Sequence, residues 1–164
     1  MPNKRFFIKL GLHALFLLVV YILQHYVFSR IPVWGERPLI LPVAAMGIGF
    51  FGGIAWGGVF GVFAGFLCDI AFVTTPLFTI LMPALGIGSG LLAEYALLET
   101  LLSYLITSLL GLLVISFLQM FPFVFFRDVQ LPVLLKVAAL QTVYSLLFVF
   151  PLYFPVRLLS KRRR

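Results

Sequence analysis

Ionisable side chains are scarce in this sequence. Its 164 residues include five acids, two histidines and one cysteine, with 10% charged residues against 63% hydrophobic ones. A soluble domain could not cover its surface with so few polar groups, and the mean hydropathy of +1.17 points to an integral membrane protein. The lone cysteine, Cys68, excludes an intramolecular disulfide and reads as packing beside Asp69. The two histidines, His13 and His25, sit on one predicted helix. They are separated by about 18 Å along its axis, too far to share a metal, and both read as packing or interfacial residues. Cys68 and Asp69 offer two adjacent ligands and no third, so no zinc site is expected.

The same scarcity argues against catalysis. No glycine-rich loop leads into Lys-Ser or Lys-Thr, so the usual nucleotide-phosphate cradle is missing. Ser89 lies in Gly88-Ser89-Gly90, but the fuller nucleophile-elbow pattern fails, with no histidine near it in sequence. Intramembrane proteolysis by Ser-His or paired-Asp chemistry lacks its partners. The central layers of the predicted spans contain no acids or lysines, which disfavours a proton relay or an ion channel. No enzyme activity, cofactor or metal is expected.

Apolar runs fill most of the chain. A hydrocarbon core about 30 Å thick takes about 20 apolar residues per helix, so the chain reads as one integral membrane domain, residues 1–164, all-α, with six transmembrane spans. The boundaries predicted are about 6–28, 38–51, 53–73, 76–95, 101–121 and 131–157. The net charge of +7 is concentrated at the ends: Lys4, Arg5 and Lys9 precede the first run, and Arg157, Lys161, Arg162, Arg163 and Arg164 close the last. Short basic flanks stay in the cytoplasm, so both termini are expected there and the number of spans must be even. This distribution speaks for orientation and contact with lipid headgroups, not for nucleic acid. The first run continues through Phe28 without a cleavage site before Arg30 and reads as an uncleaved span. A tight turn near Phe51 to Gly53 separates spans two and three, the former short for a bilayer. Pro83, Gly86, Gly88 and Gly90 predict a kink or local unwinding in span four.

The most specific pattern is a glycine stripe ending in an acid. Gly49, Gly53, Gly57, Gly61 and Gly65 recur every fourth residue, and Asp69 takes the next step. Residues four apart share a helix face, so one side presents bare backbone, a shape suited to a second helix at close range. The seam Gly53, Gly57, Gly61, Gly65, Asp69 therefore predicts helix packing, either inside the bundle or with a partner. Gly61→Leu is expected to block that association, and alanine there to be milder. An acid costs roughly 3 kcal/mol at mid-membrane, so Asp69 should lie near an interface or have a partner. The charges fall in two layers, and Asp69 with Lys136 or Arg127, and Glu94 or Glu99 with Arg157 or Lys9, are candidate ion pairs. Snorkelling at headgroup level is the competing reading for all of them.

In layout and in the run Gly57-x-x-x-Gly61-x-x-x-Gly65-x-x-x-Asp69, the chain resembles the bacterial rod shape-determining protein MreD family. It departs from the family pattern after Asp69, at Thr74-Thr75-Pro76-Leu77-Phe78, and in Gly86-Ile87-Gly88-Ser89-Gly90. The resemblance implies a non-enzymatic scaffold of the cell-elongation machinery in the bacterial cytoplasmic membrane. It implies an MreC-like single-pass protein as partner, with indirect links to MreB-like filaments and to RodA and its penicillin-binding transpeptidase in peptidoglycan synthesis. It also implies a fold similar to the substrate-binding subunit of energy-coupling-factor transporters. That similarity supplies the alternative function, capture of a small solute, for which a pocket with convergent polar groups is required in the outer half.

Overall fold

The computed structural model describes residues 4–30, 38–72, 77–95, 100–126 and 131–160, and within these it is helical almost throughout. Helix α1 (Lys4–Ile22) continues through a widened turn at Leu23–Val27 into a tight one at Phe28–Arg30. Then come α2 (Ile40–Gly52), α3 (Ile54–Phe72), α4 (Leu77–Tyr95), α5 (Leu101–Phe126), α6 (Leu131–Leu147) and α7 (Val149–Ser160). Phe6–Val27, Leu77–Tyr95 and Leu101–Met120 are each long and apolar enough to cross a membrane. Helices α6 and α7, bent by 52° where they meet, make a fourth candidate. This is the build of a multi-pass membrane protein, with large apolar side chains such as Phe7, Leu15, Ile80, Phe117 and Phe154 exposed on its outside.

Proline acts differently in two of these helices. The last predicted span, 131–157, is two helices. Pro151 has no N–H for the carbonyl of Leu147 and its ring crowds that carbonyl, so α6 ends there. Phe148 N–H bonds back to Ser145 O (3.1 Å) before Leu152 N–H resumes the helical ladder on Phe148 O (3.1 Å). In α4, by contrast, Pro83 lies inside a helix that continues from Leu77 to Tyr95, so of the expected kink or local unwinding the second is not found.

Helix α2 forms the axis. It is apolar on every side, the pattern of a wholly enclosed helix, and residues 38–51 are all buried against α1, α3, α4, α5 and α7. Thirteen residues make about 20 Å of helix, short of the hydrocarbon thickness, so α2 relies on its neighbours to satisfy its ends. Leu39 N–H donates to Ser145 Oγ (2.8 Å) and Leu41 N–H to Gln24 Oε1 (2.7 Å). The next residue, Pro42, has no donor to satisfy. Further along, Val43 O accepts the Tyr104 hydroxyl (2.9 Å) and Met46 O the Ser89 hydroxyl (2.9 Å). Gln24→Leu is expected to orphan the Leu41 N–H in an apolar interior at a cost of about 2 kcal/mol. Thermal unfolding in detergent would register this as a lowered midpoint.

At its other end α2 passes into α3 through Gly53, whose φ of 97° lies where a side chain is rarely tolerated. The predicted turn near Phe51 to Gly53 is therefore this single glycine hinge. It folds α3 back beside α2, and both pack on α4.

Candidate functional site

The glycine stripe is an internal seam between the antiparallel helices α3 and α4. A Cβ on Gly57 would lie 2.6 Å from the carbonyl carbon of Gly86 and 2.8 Å from the Cα of Gly49. On Gly61 it would meet Met82 O and Pro83 Cα, each at 2.7 Å, and on Gly65 the carbonyl carbon of Phe78 and Thr79 Cα, also at 2.7 Å. Real Cβ atoms are not found at such distances, and every obstacle is main chain. At Gly61 alanine, though smaller than leucine, is already unfavourable, because Met82 and Pro83 backbone occupies the space of even one methyl. Gly53 belongs to the seam differently, as the hinge residue, with its carbonyl carbon 3.0 Å from where a Cβ on Gly90 would stand.

The complementary surface on α4 is a second four-residue series: Phe78, Met82, Gly86 and Gly90. Gly86 faces Gly57 so closely that neither position admits a Cβ. In sequence, Gly86 and Gly90 read as signs of a kink or local unwinding. Their spacing of four, in register with the stripe on α3, was the available signal for a matching face. Gly88, between them in sequence, points away and has nothing within 4 Å of a Cβ.

Asp69 completes the seam. Its carboxylate accepts Phe78 N–H (3.1 Å) and Thr79 N–H (2.8 Å), and also the Thr79 hydroxyl (2.6 Å). The first N–H groups of a helix have no partners within it, so α3 caps α4 in trans, and the negative charge stands at the favourable end of the α4 dipole. Neither expected cationic partner is among these donors. Lys136 is exposed on α6, a helix packed on α5 and α7 and not extensively on α3. Arg127 lies outside the described residues.

The other charge layer gathers at the basal end, where α1 begins and α7 finishes. Lys9 and Glu94 line one cleft of about 370 Å³ together with His13, Gly53, Trp56 and Ser160. Arg157 is engaged elsewhere: its guanidinium donates to the Tyr153 hydroxyl and lies 5.3 Å from that ring's centre. Glu99 is outside the described residues. His13 is buried and ties α1 to α7. Lys9 O can only accept, so Nδ1 donates to it (2.8 Å), leaving Nε2 to meet the Ser160 hydroxyl (3.0 Å). Its ring lies 4.9 Å from Trp56 and 5.2 Å from Phe60, which are themselves stacked. Among the described residues no three His, Cys, Asp or Glu side chains come together in a way that could hold a metal ion, and Cys68 is buried as packing.

In comparisons with known proteins, the chain matches no family model, no curated protein and no solved structure.

Proposed function

We propose that this chain is a non-enzymatic scaffold of the bacterial cytoplasmic membrane, an MreD-like component of the cell-elongation machinery that binds an MreC-like single-pass protein and helps organise peptidoglycan synthesis. In this reading α1, α2, α3, α4, α5 and the bent α6–α7 pair make six crossings, and both termini are cytoplasmic. One observation carries the reading. The run from Gly57 to Asp69, on which the resemblance rests, locks α3 to α4 main chain to main chain and caps α4, as a rigid framework requires. With the glycine face closed inside the bundle, a partner helix engages the outward apolar faces instead.

Solute capture is the less well supported alternative. A binder needs several polar groups converging on a pocket in the outer half. At that end of the bundle Gln24, Ser145 and Asp69 are already directed to backbone N–H groups of α2 and α4. The cleft with mixed charges is at the opposite, basal end.

Purification of the tagged chain from its native membranes in mild detergent, with bound proteins identified by mass spectrometry, tests the proposal. Recovery of a single-pass protein with an extracytoplasmic scaffold domain, together with wall synthases, is the expected result. Recovery of paired ATPases with a coupling membrane subunit would replace the scaffold by a solute-capture protein.

A further inference from the structure

The basal cleft brings together one charge of each sign from helices that do not pack extensively on each other: Lys9 from α1 and Glu94 from α4. Both residues are exposed, whereas His13 and Ser160, hydrogen-bonded to each other, are buried in the cleft wall. Trp56 and Ala55 also line a second concavity, an apolar groove between α1 and α3 formed with Phe6, Leu10, Val59 and Phe60. A cleft that holds a cation and an anion among largely apolar walls thus adjoins a trough made of hydrocarbon and aromatic surface. The shared wall is an indole, a side chain that favours the membrane–water boundary.

We propose that this composite site holds one phospholipid with an amine-bearing, zwitterionic headgroup. Its phosphate is drawn to the Lys9 ammonium, its own primary ammonium donates to the Glu94 carboxylate, and the first carbons of an acyl chain lie in the groove beside Trp56. The order of charges selects the class. An anionic phosphatidylglycerol headgroup satisfies Lys9 but brings no cation to Glu94. The quaternary ammonium of phosphatidylcholine has no N–H to donate. A soluble zwitterion leaves the apolar groove unfilled. The proposal needs only the membrane embedding of the chain and is independent of the role in cell elongation.

Quenching by lipids with brominated acyl chains reads this site directly, because Trp56 is one of only two tryptophans. The full chain carrying Trp34→Phe is reconstituted in phosphatidylcholine vesicles containing either brominated phosphatidylethanolamine or brominated phosphatidylglycerol. A matched set with brominated phosphatidylcholine supplies the random-mixing baseline. The expected result is a relative binding constant for phosphatidylethanolamine about threefold above the other two, the size of effect that one exposed ion pair supplies, and a return to the baseline in Glu94→Gln. Equal quenching by all three lipids would mean ordinary boundary lipid and would overturn the site. A preference for phosphatidylglycerol, or a phosphatidylethanolamine preference that survives Glu94→Gln, would also overturn it. Native mass spectrometry of the unsubstituted chain, offered equal amounts of the two headgroups, checks the same ordering without any variant. Retention of phosphatidylethanolamine in excess supports the site, and equal retention or an excess of phosphatidylglycerol counts against it.

Discussion

Gly57→Ala is expected to lower the unfolding midpoint steeply, whereas Gly88→Ala, thirty-one positions further along and in the facing helix, does not lower it. The added methyl at Gly57 would fall 2.6 Å from the carbonyl carbon of Gly86 and 2.8 Å from Gly49 Cα. Main chain cannot rotate aside as the end of a side chain can. The methyl must therefore push α3 away from both α2 and α4, loosening the contacts at Gly61 and Gly65 with them. Overpacking of this kind costs about 3 kcal/mol or more, a large share of a total stability of about 5–15 kcal/mol. At Gly88 nothing lies within 4 Å, and alanine gains up to about 1 kcal/mol in helix propensity. Cys68 provides the readout, being both buried and the sole cysteine. A thiol-reactive fluorophore added during slow heating should label Gly57→Ala at low temperature, or find it only as aggregate, while Gly88→Ala labels at or above the wild-type midpoint. A Gly57→Ala midpoint equal to wild type would mean that the helices do not approach as described.

Loss of the Asp69 carboxylate is the second large effect. Asp69→Ala removes the acceptor for two backbone N–H groups and one hydroxyl at the start of α4. Hydrogen bonds to a charged group contribute about 1.5–3 kcal/mol each, but the site is only half-buried and water reaches part of what is exposed. A net loss of about 3 kcal/mol is therefore expected. Asp69→Asn, which retains one acceptor oxygen, should fall between alanine and wild type. Lys136→Asp in combination with Asp69→Lys should bring no recovery, because the carboxylate acts on the α4 backbone and not on a lysine of α6. Recovery in that double variant would reinstate the ion pair and remove the cap. The Cys68 labelling assay serves here too, since the thiol is adjacent to Asp69 and its exposure reports the end of α3 as well as global unfolding.

The two predictions show where sequence reasoning reached and where it stopped. Four-residue glycine spacing makes a face that only another backbone or a small residue can fill, so a close-packed seam was legible from Gly53 to Gly65. Spacing along one helix carries no information about which helix lies opposite, and for that reason the seam stood open between an internal and an external partner. Asp69 was recognisable as an acid in need of a partner, by hydrogen bond or ion pair, but the groups that would supply it were not. Its actual acceptor role serves main-chain N–H groups, which every residue except proline carries and which leave no mark in a sequence. The roles of Gln24, Ser145, Ser89 and Tyr104 were not legible for the same reason: each answers a backbone group at or in α2, and a sequence does not say which main chain a polar side chain will meet.

Composition and local chemistry by themselves determined that this chain is helical and membrane-embedded, where most of its helices begin and end, that a turn near Phe51 to Gly53 separates α2 from α3, and that one face of α3 is bare. These properties depend on hydropathy, on proline and glycine geometry and on spacing, all of which act between residues close in sequence. Only the tertiary structure decided that α2 is enclosed on every side, that α4 closes the glycine face, that Pro151 divides the last helix while Pro83 does not divide α4, and that Lys9 and Glu94 share one cleft. Each of those outcomes depends on which surfaces meet across the bundle. Between apolar helices in a lipid environment, that choice rests on shape and on a few backbone hydrogen bonds, not on hydrophobicity, so it is settled only when the helices are assembled.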